Sequence, residues 1–150
     1  MPNVERHRGF TLLELILVIS ILAIVAALGR DFYYNYQQGA ALDGAAKELV
    51  VNLRSARDRA MNGEQDRSWG IRLVNGANDY YEMISTSGVS TSTVATTSLP
   101  VGVFFAQPGA GANLEVVFSK IGGTTTATAI LLTSSIGSST VNVNGSGNIY

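Results

Sequence analysis

Two periodicities divide the chain. Residues 10 to 28, FTLLELILVISILAIVAAL, form an apolar run interrupted only by Thr11, Glu14 and Ser20. At roughly 1.5 Å per residue a helix of that length reaches about 28 Å, close to the ~30 Å hydrocarbon thickness of a bilayer. From Phe32 to Asn62 the pattern becomes amphipathic. Leu42, Ala46, Leu49, Leu53, Ala56 and Ala60 recur at helical spacing, while Lys47, Glu48, Arg54, Arg57, Asp58 and Arg59 fall mostly off that stripe. No proline interrupts either stretch, and Gly63 supplies a stop signal. The spacing predicts a nearly continuous helix from about Phe10 to Asn62, on the order of 80 Å long.

Beyond Gly63 the period drops to two. Trp69, Ile71 and Leu73 alternate with Gly70, Arg72 and Val74; Asn75 to Asp79 reads as a turn, and Tyr80 to Ile84 as the returning arm of a hairpin. Residues 85 to 98 contain ten Ser or Thr in fourteen, and the expectation there is a mobile loop. Val101 to Phe105, Leu114 to Phe118, Thr126 to Leu132 and Thr140 to Val143 are further short strands between Gly- and Ser-rich turns. The pattern predicts an α+β fold: a small antiparallel β-sheet domain over residues 63–150, packed on the amphipathic helix of residues 29–62.

Composition narrows the function. At 150 residues there is room for one folded unit. Charged residues make up 14% of the chain, against roughly 25% in an ordinary soluble domain. From Ile84 onward only Glu115 and Lys120 carry charge. A net charge of -1 gives no bulk attraction for nucleic acid. The absence of Cys excludes disulfides, thiolate nucleophiles and Cys-based metal centres. The single histidine, His7, lies in the basic stretch before the apolar run, so the folded part has none for acid-base work or metal ligation.

Arg6 and Arg8 precede the apolar run, which orients the N-terminus to the cytoplasm and the remainder outward. An ordinary secretory signal, cut near Ala27 within Val25-Ala26-Ala27, fits the same layout and would release a secreted soluble binding module. A plain signal anchor fits as well. Glu14 argues against both, because a carboxylate near the bilayer centre costs ~2.5 to 3.5 kcal/mol, less near an end, and export alone gains nothing from it.

Gly9-Phe10-Thr11-Leu12-Leu13-Glu14-Leu15, behind a short basic leader and ahead of an apolar helix, resembles the type IV prepilin signature. The resemblance implies a pilin-like fold and a leader at residues 1–9. Prepilin peptidase would cut after Gly9 and N-methylate Phe10, and residues 10–28 would stay on the mature chain as membrane and filament-core helix. Many members of that family carry proline where this chain has Asp31, at a local kink of the helix. Cleavage after Gly9 would create an amine at Phe10 that must sit in a low-dielectric helix bundle, and Glu14 lies one helical turn on, placed to neutralise it. The resemblance implies that the amine belongs to a neighbouring subunit, so that Glu14 sets assembly register.

The later features resemble the GspH/FimT group of minor pilin-like proteins. They are the helix end Leu53 to Ala60, then Trp69-Gly70-Ile71, Leu99-Pro100-Val101-Gly102-Val103, Phe118-Ser119-Lys120-Ile121-Gly122, and the closing run Val141 to Gly147. Some relatives bind DNA through arginines after the last strand. Residues 144 to 150 here carry neither Arg nor Lys, so DNA binding is not expected. The cluster Arg54, Arg57 and Arg59, with Asp58 among them, reads as a solvated helix face. Phe32, Tyr33, Tyr34 and Tyr36 fit an interfacial aromatic belt or a subunit contact.

No catalytic pattern emerges. Nucleotide-binding glycines are lacking, no nucleophile elbow lies between strand and helix, and Glu64, Asp66, Asp79, Glu82 and Glu115 are too scattered to pair from spacing. Asn75, Asn78 and Asp79 offer oxygens for Ca²⁺ but lack an EF-hand pattern, and a plain turn is the better reading. The expectation is a non-enzymatic minor pilin or pseudopilin of a type II secretion pseudopilus or type IV pilus, without cofactor or metal. It would begin as a single-pass inner-membrane protein with its C-terminal domain in the periplasm. Its partners would be prepilin peptidase and other pilin subunits.

Overall fold

The computed structural model describes residues 10 to 150, excepting the side chains of residues 28, 29 and 31. Helix α1 (Leu12–Met61) is followed by a short 3-10 turn and seven strands. These are β1 (Ser68–Val74), β2 (Tyr80–Thr86), β3 (Thr91–Ser98), β4 (Val103–Gln107), β5 (Asn113–Phe118), β6 (Thr128–Ser134) and β7 (Gly137–Val143). The chain forms two compact units, the first ending at Tyr36 and the second running from Gln37 to Tyr150. In the first, every described residue from Phe10 to Ala27 is exposed.

The second unit is a helix on antiparallel sheets. The apolar stripe of α1 is buried as its spacing predicts: Leu49, Leu53, Ala56 and Ala60 have no exposed surface, and Leu42 and Ala46 are buried with them. Each fully buried leucine contributes about 1.5 to 3 kcal/mol relative to an exposed one. At the C-terminal end, Gly63 adopts left-handed φ and donates its N–H to the Ala60 carbonyl, the backbone state its missing Cβ makes accessible. The helix end is then tied to the first strand. Trp69 donates its indole N–H to the Glu64 carbonyl at 3.0 Å, and the Arg59 guanidinium stacks 4.8 Å from the Trp69 ring centre.

Two sheets, rather than the single one expected, cover the helix. The larger has the order β3-β2-β1-β5 and the smaller β4-β6-β7. All pairings are antiparallel. Trp69, Ile71 and Leu73 of β1 point into a core shared with Phe118 and Val116 of β5, Phe105 of β4, Ile130 and Leu132 of β6, and Val141 and Val143 of β7. On the outer face of β1, Arg72 lies opposite both Glu82 and Glu115 in register and pairs with them at 3.3 and 2.8 Å.

The Ser/Thr-rich stretch departs from the expected loop. Most of it is β3, an edge strand whose residues are nearly all exposed. Polarity misled here because threonine is β-branched and suits a pleated strand, while an edge strand exposed on its faces needs no apolar side chains of its own.

Buried against this core, Tyr81 accepts a hydrogen bond from Asn52 Nδ2 at 2.9 Å. Burial pushes its phenol above the ordinary value, and the Glu48 charge adds to the effect. The unfolded chain therefore releases this proton first. The associated stability is fully present below the unfolded value of about 10 and is lost as pH rises through the raised folded value. Thermal melts followed by circular dichroism should show stability falling as pH rises above about 10, with a shallower fall in Tyr81→Phe. Equal slopes in the two proteins would remove Tyr81 as the cause.

Candidate assembly segment and head contacts

Of the residues assigned to processing and assembly, Gly9 lies outside the described residues. Phe10 is 79% exposed. Glu14 occupies the first turn of α1, and its backbone N–H donates to Thr11 Oγ1 at 3.2 Å. Thr11 is thus the N-cap, and Thr11-Leu12-Leu13-Glu14 matches the spacing of a capping box. In the sequence that short motif is masked by the surrounding apolar run. It has an electrostatic consequence. The N-terminal end of a helix carries partial positive charge, so an amine created at Phe10 would add to it, and Glu14 is placed within the turn where a carboxylate opposes both.

The rest of the segment is apolar helix. An 18-residue stretch within α1 has mean hydropathy 2.8, and none of it is buried by the protein. Ser20 returns its hydroxyl hydrogen to the Ile16 carbonyl at 2.7 Å, which satisfies its polar group locally. Phe32, Tyr33, Tyr34 and Tyr36 are all exposed just after the run. Such a surface is stable against lipid or against other apolar helices.

In the head, groups that looked like candidate chemistry hold the fold together. Both oxygens of the buried Asp79 carboxylate are engaged: one accepts the Phe105 N–H at 2.6 Å and the other the Gly76 N–H at 3.1 Å. Asn75 Nδ2 donates to the Phe105 and Pro108 carbonyls, each at 2.7 Å. The β1–β2 turn is therefore a polar clasp from the larger sheet onto β4 of the smaller one. Among the described residues no three His, Cys, Asp or Glu side chains converge as a metal site would require.

The arginines of α1 are not merely a solvated face. Arg54 donates to the Ile149 carbonyl at 3.1 Å, and Arg57 to the Asn148 side chain and the Ser146 carbonyl, each at 3.4 Å. They hold the C-terminal segment, which also pairs with β7 through Asn142 and Tyr150. Spacing gave no sign of this, because the partners lie about ninety residues away in sequence. The two charges beyond Ile84 are also paired, Glu115 with Arg72 and Lys120 with Asp66. The Lys120 ammonium lowers the Asp66 carboxyl below its ordinary value.

Residues 6–29 match the family described as the prokaryotic N-terminal methylation motif. The chain is also similar to prepilin peptidase-dependent protein D of Escherichia coli (strain K12), 51% identical over 46 residues. That match covers 31% of this chain and 32% of the relative, so the chain spans about a third of the length of the curated relative it matches. No solved structure matches it. The matched methylation motif leads into the exposed helix, and that helix continues onto antiparallel sheets, an α+β pilin-like architecture.

Proposed function

We propose that this chain is a structural minor pilin or pseudopilin subunit, of the GspH/FimT kind, that assembles through its N-terminal helix into a type IV pilus or a type II secretion pseudopilus. The observation that supports the reading is the wholly exposed apolar segment from Phe10 to Ala27, helical from Leu12, which carries the methylation motif and one carboxylate in its first helical turn. Prepilin peptidase cuts after Gly9 and methylates Phe10. Before assembly the helix anchors the chain in the inner membrane with the head in the periplasm; afterwards it packs against the helices of other subunits, with Glu14 opposite the Phe10 amine of a neighbour. The subunit works mechanically rather than catalytically. Its polar clusters are engaged in the clasp, the C-terminal contacts and cross-strand ion pairs, none of which leaves a nucleophile beside a base.

The mature N-terminus decides between this and release by signal cleavage. Mass spectrometry of the protein from a host with a prepilin peptidase should find a chain beginning at methylated Phe10. A chain beginning near Leu28 would overturn the assignment.

A further inference from the structure

Among the apolar side chains that the head exposes, three gather at one end. Gly102, with φ of 87°, lies against the Gln38 side chain, where an added Cβ would stand 2.8 Å from Nε2. Gly39, next along α1, would place a Cβ 3.1 Å from Ile136 Cδ1. The turn before β4 and the β6–β7 hairpin tip therefore flank the first helical residues of the second unit. Register agrees, since Val103 at the start of β4 pairs with Ser134 at the end of β6. At this end Val101 is 93% exposed, Phe104 55% and Ile136 45%. Neither Leu99 to Ala112 nor Ile121 to Tyr150 contains a charged residue.

The chain itself says what lies next to this end. About ten residues of helix, roughly 15 Å of contour, separate Leu28 at the end of the apolar run from Gln38. Four of the nine residues between them are Phe32, Tyr33, Tyr34 and Tyr36, behind Arg30 and Asp31, and aromatic belts of this kind sit at headgroup level. Gln38 follows the last of these aromatics by two residues, so the end of the head carrying Val101 and Ile136 begins within one helical turn of Tyr36 along the chain.

We propose that, in the membrane-anchored subunit, the uncharged loop tips at Val101 and Ile136, with Phe104 beside them, rest on the lipid headgroup surface. The inference depends on the anchoring described above and adds a second, head-borne membrane contact. Uncharged tips make the contact by burying apolar side chains, so it needs no anionic lipid. Forming a filament would then require the head to leave the lipid as well as the helix to slide out of it.

The absence of cysteine makes the test direct. Single-cysteine variants Val101→Cys, Ile136→Cys, Val89→Cys and Ile16→Cys of the full chain are labelled with nitrobenzoxadiazole and placed, at low protein density, in phosphatidylcholine vesicles containing headgroup- or chain-labelled nitroxide lipid. Val89, 99% exposed in the β2–β3 turn, is the control, since the neighbouring Thr86 pairs with Ser68 just after the opposite end of α1. Labels at 101 and 136 should lose roughly twofold more fluorescence to headgroup nitroxide than the label at 89, as shallow insertion requires. Equal quenching at 101, 136 and 89, with the label at 16 quenched by chain nitroxide, overturns the head contact and leaves the anchor standing. An unquenched label at 16 overturns the anchor and the head contact together.

Discussion

Glu14→Leu should be processed and inserted like the wild type yet be poorly incorporated into filaments. The variant removes a carboxylate from an otherwise apolar segment, so membrane insertion becomes no harder. The proposed peptidase cut after Gly9 is five residues upstream and should persist. Within an assembled bundle, however, a neighbour's Phe10 amine would be left without its partner, a state that typically costs ~3 to 5 kcal/mol. The cap at Thr11 offers a competing explanation, because Glu14 also opposes the helix dipole, an effect of only ~0.3 to 1 kcal/mol. Two companions separate the causes. Glu14→Asp keeps the charge and should retain more incorporation than the leucine variant, whereas Glu14→Gln keeps the shape without the charge and should behave like leucine. Sheared filament fractions, normalised to processed membrane protein, give the comparison. Gly9→Val, which retains Glu14, should instead keep its leader and stay in the membrane. Wild-type incorporation of processed Glu14→Leu would remove Glu14 from assembly.

The second large effect belongs to the head. Asp79→Ala should lower stability by about 2 to 6 kcal/mol, since two N–H groups, those of Phe105 and Gly76, lose their acceptor at roughly 1 to 3 kcal/mol each. Phe105 belongs to the core shared by both sheets, so loss of the clasp should loosen β4 from the β1–β2 turn. Asp79→Asn, which keeps one acceptor oxygen, should recover part of the loss. Urea unfolding followed by Trp69 fluorescence measures both. A change below about 1 kcal/mol in the alanine variant would mean that water replaces the carboxylate and that the clasp holds nothing.

Neither clasp nor C-terminal contact was legible beforehand. Asn75 to Asp79 reads correctly as a turn, because Asn, Gly and Asp favour such backbone, but a turn-forming Asp and a sheet-joining Asp look identical in sequence. Arg54 and Arg57 resemble any helical arginines off an apolar stripe. Their partners are mostly backbone carbonyls, which every residue possesses and no pattern advertises.

The sequence alone determined whatever depends on neighbours a few residues apart. The apolar run, the buried stripe Leu42 to Ala60, the Gly63 stop and the alternation in β1 all follow from helix and strand geometry acting on adjacent positions. The matched methylation motif is equally local, since it occupies the contiguous residues 6–29. Tertiary structure decided what long-range pairing controls: that residues 91–98 form an edge strand instead of a loop, and that β4 leaves β3 to join β6 in a second sheet. It also decided that two helical arginines close on the far end of the chain. Strand hydrogen bonds use the backbone, which is the same at every position, so the identity of the partner emerges only when the apolar faces of both sheets compete for the same stripe of α1.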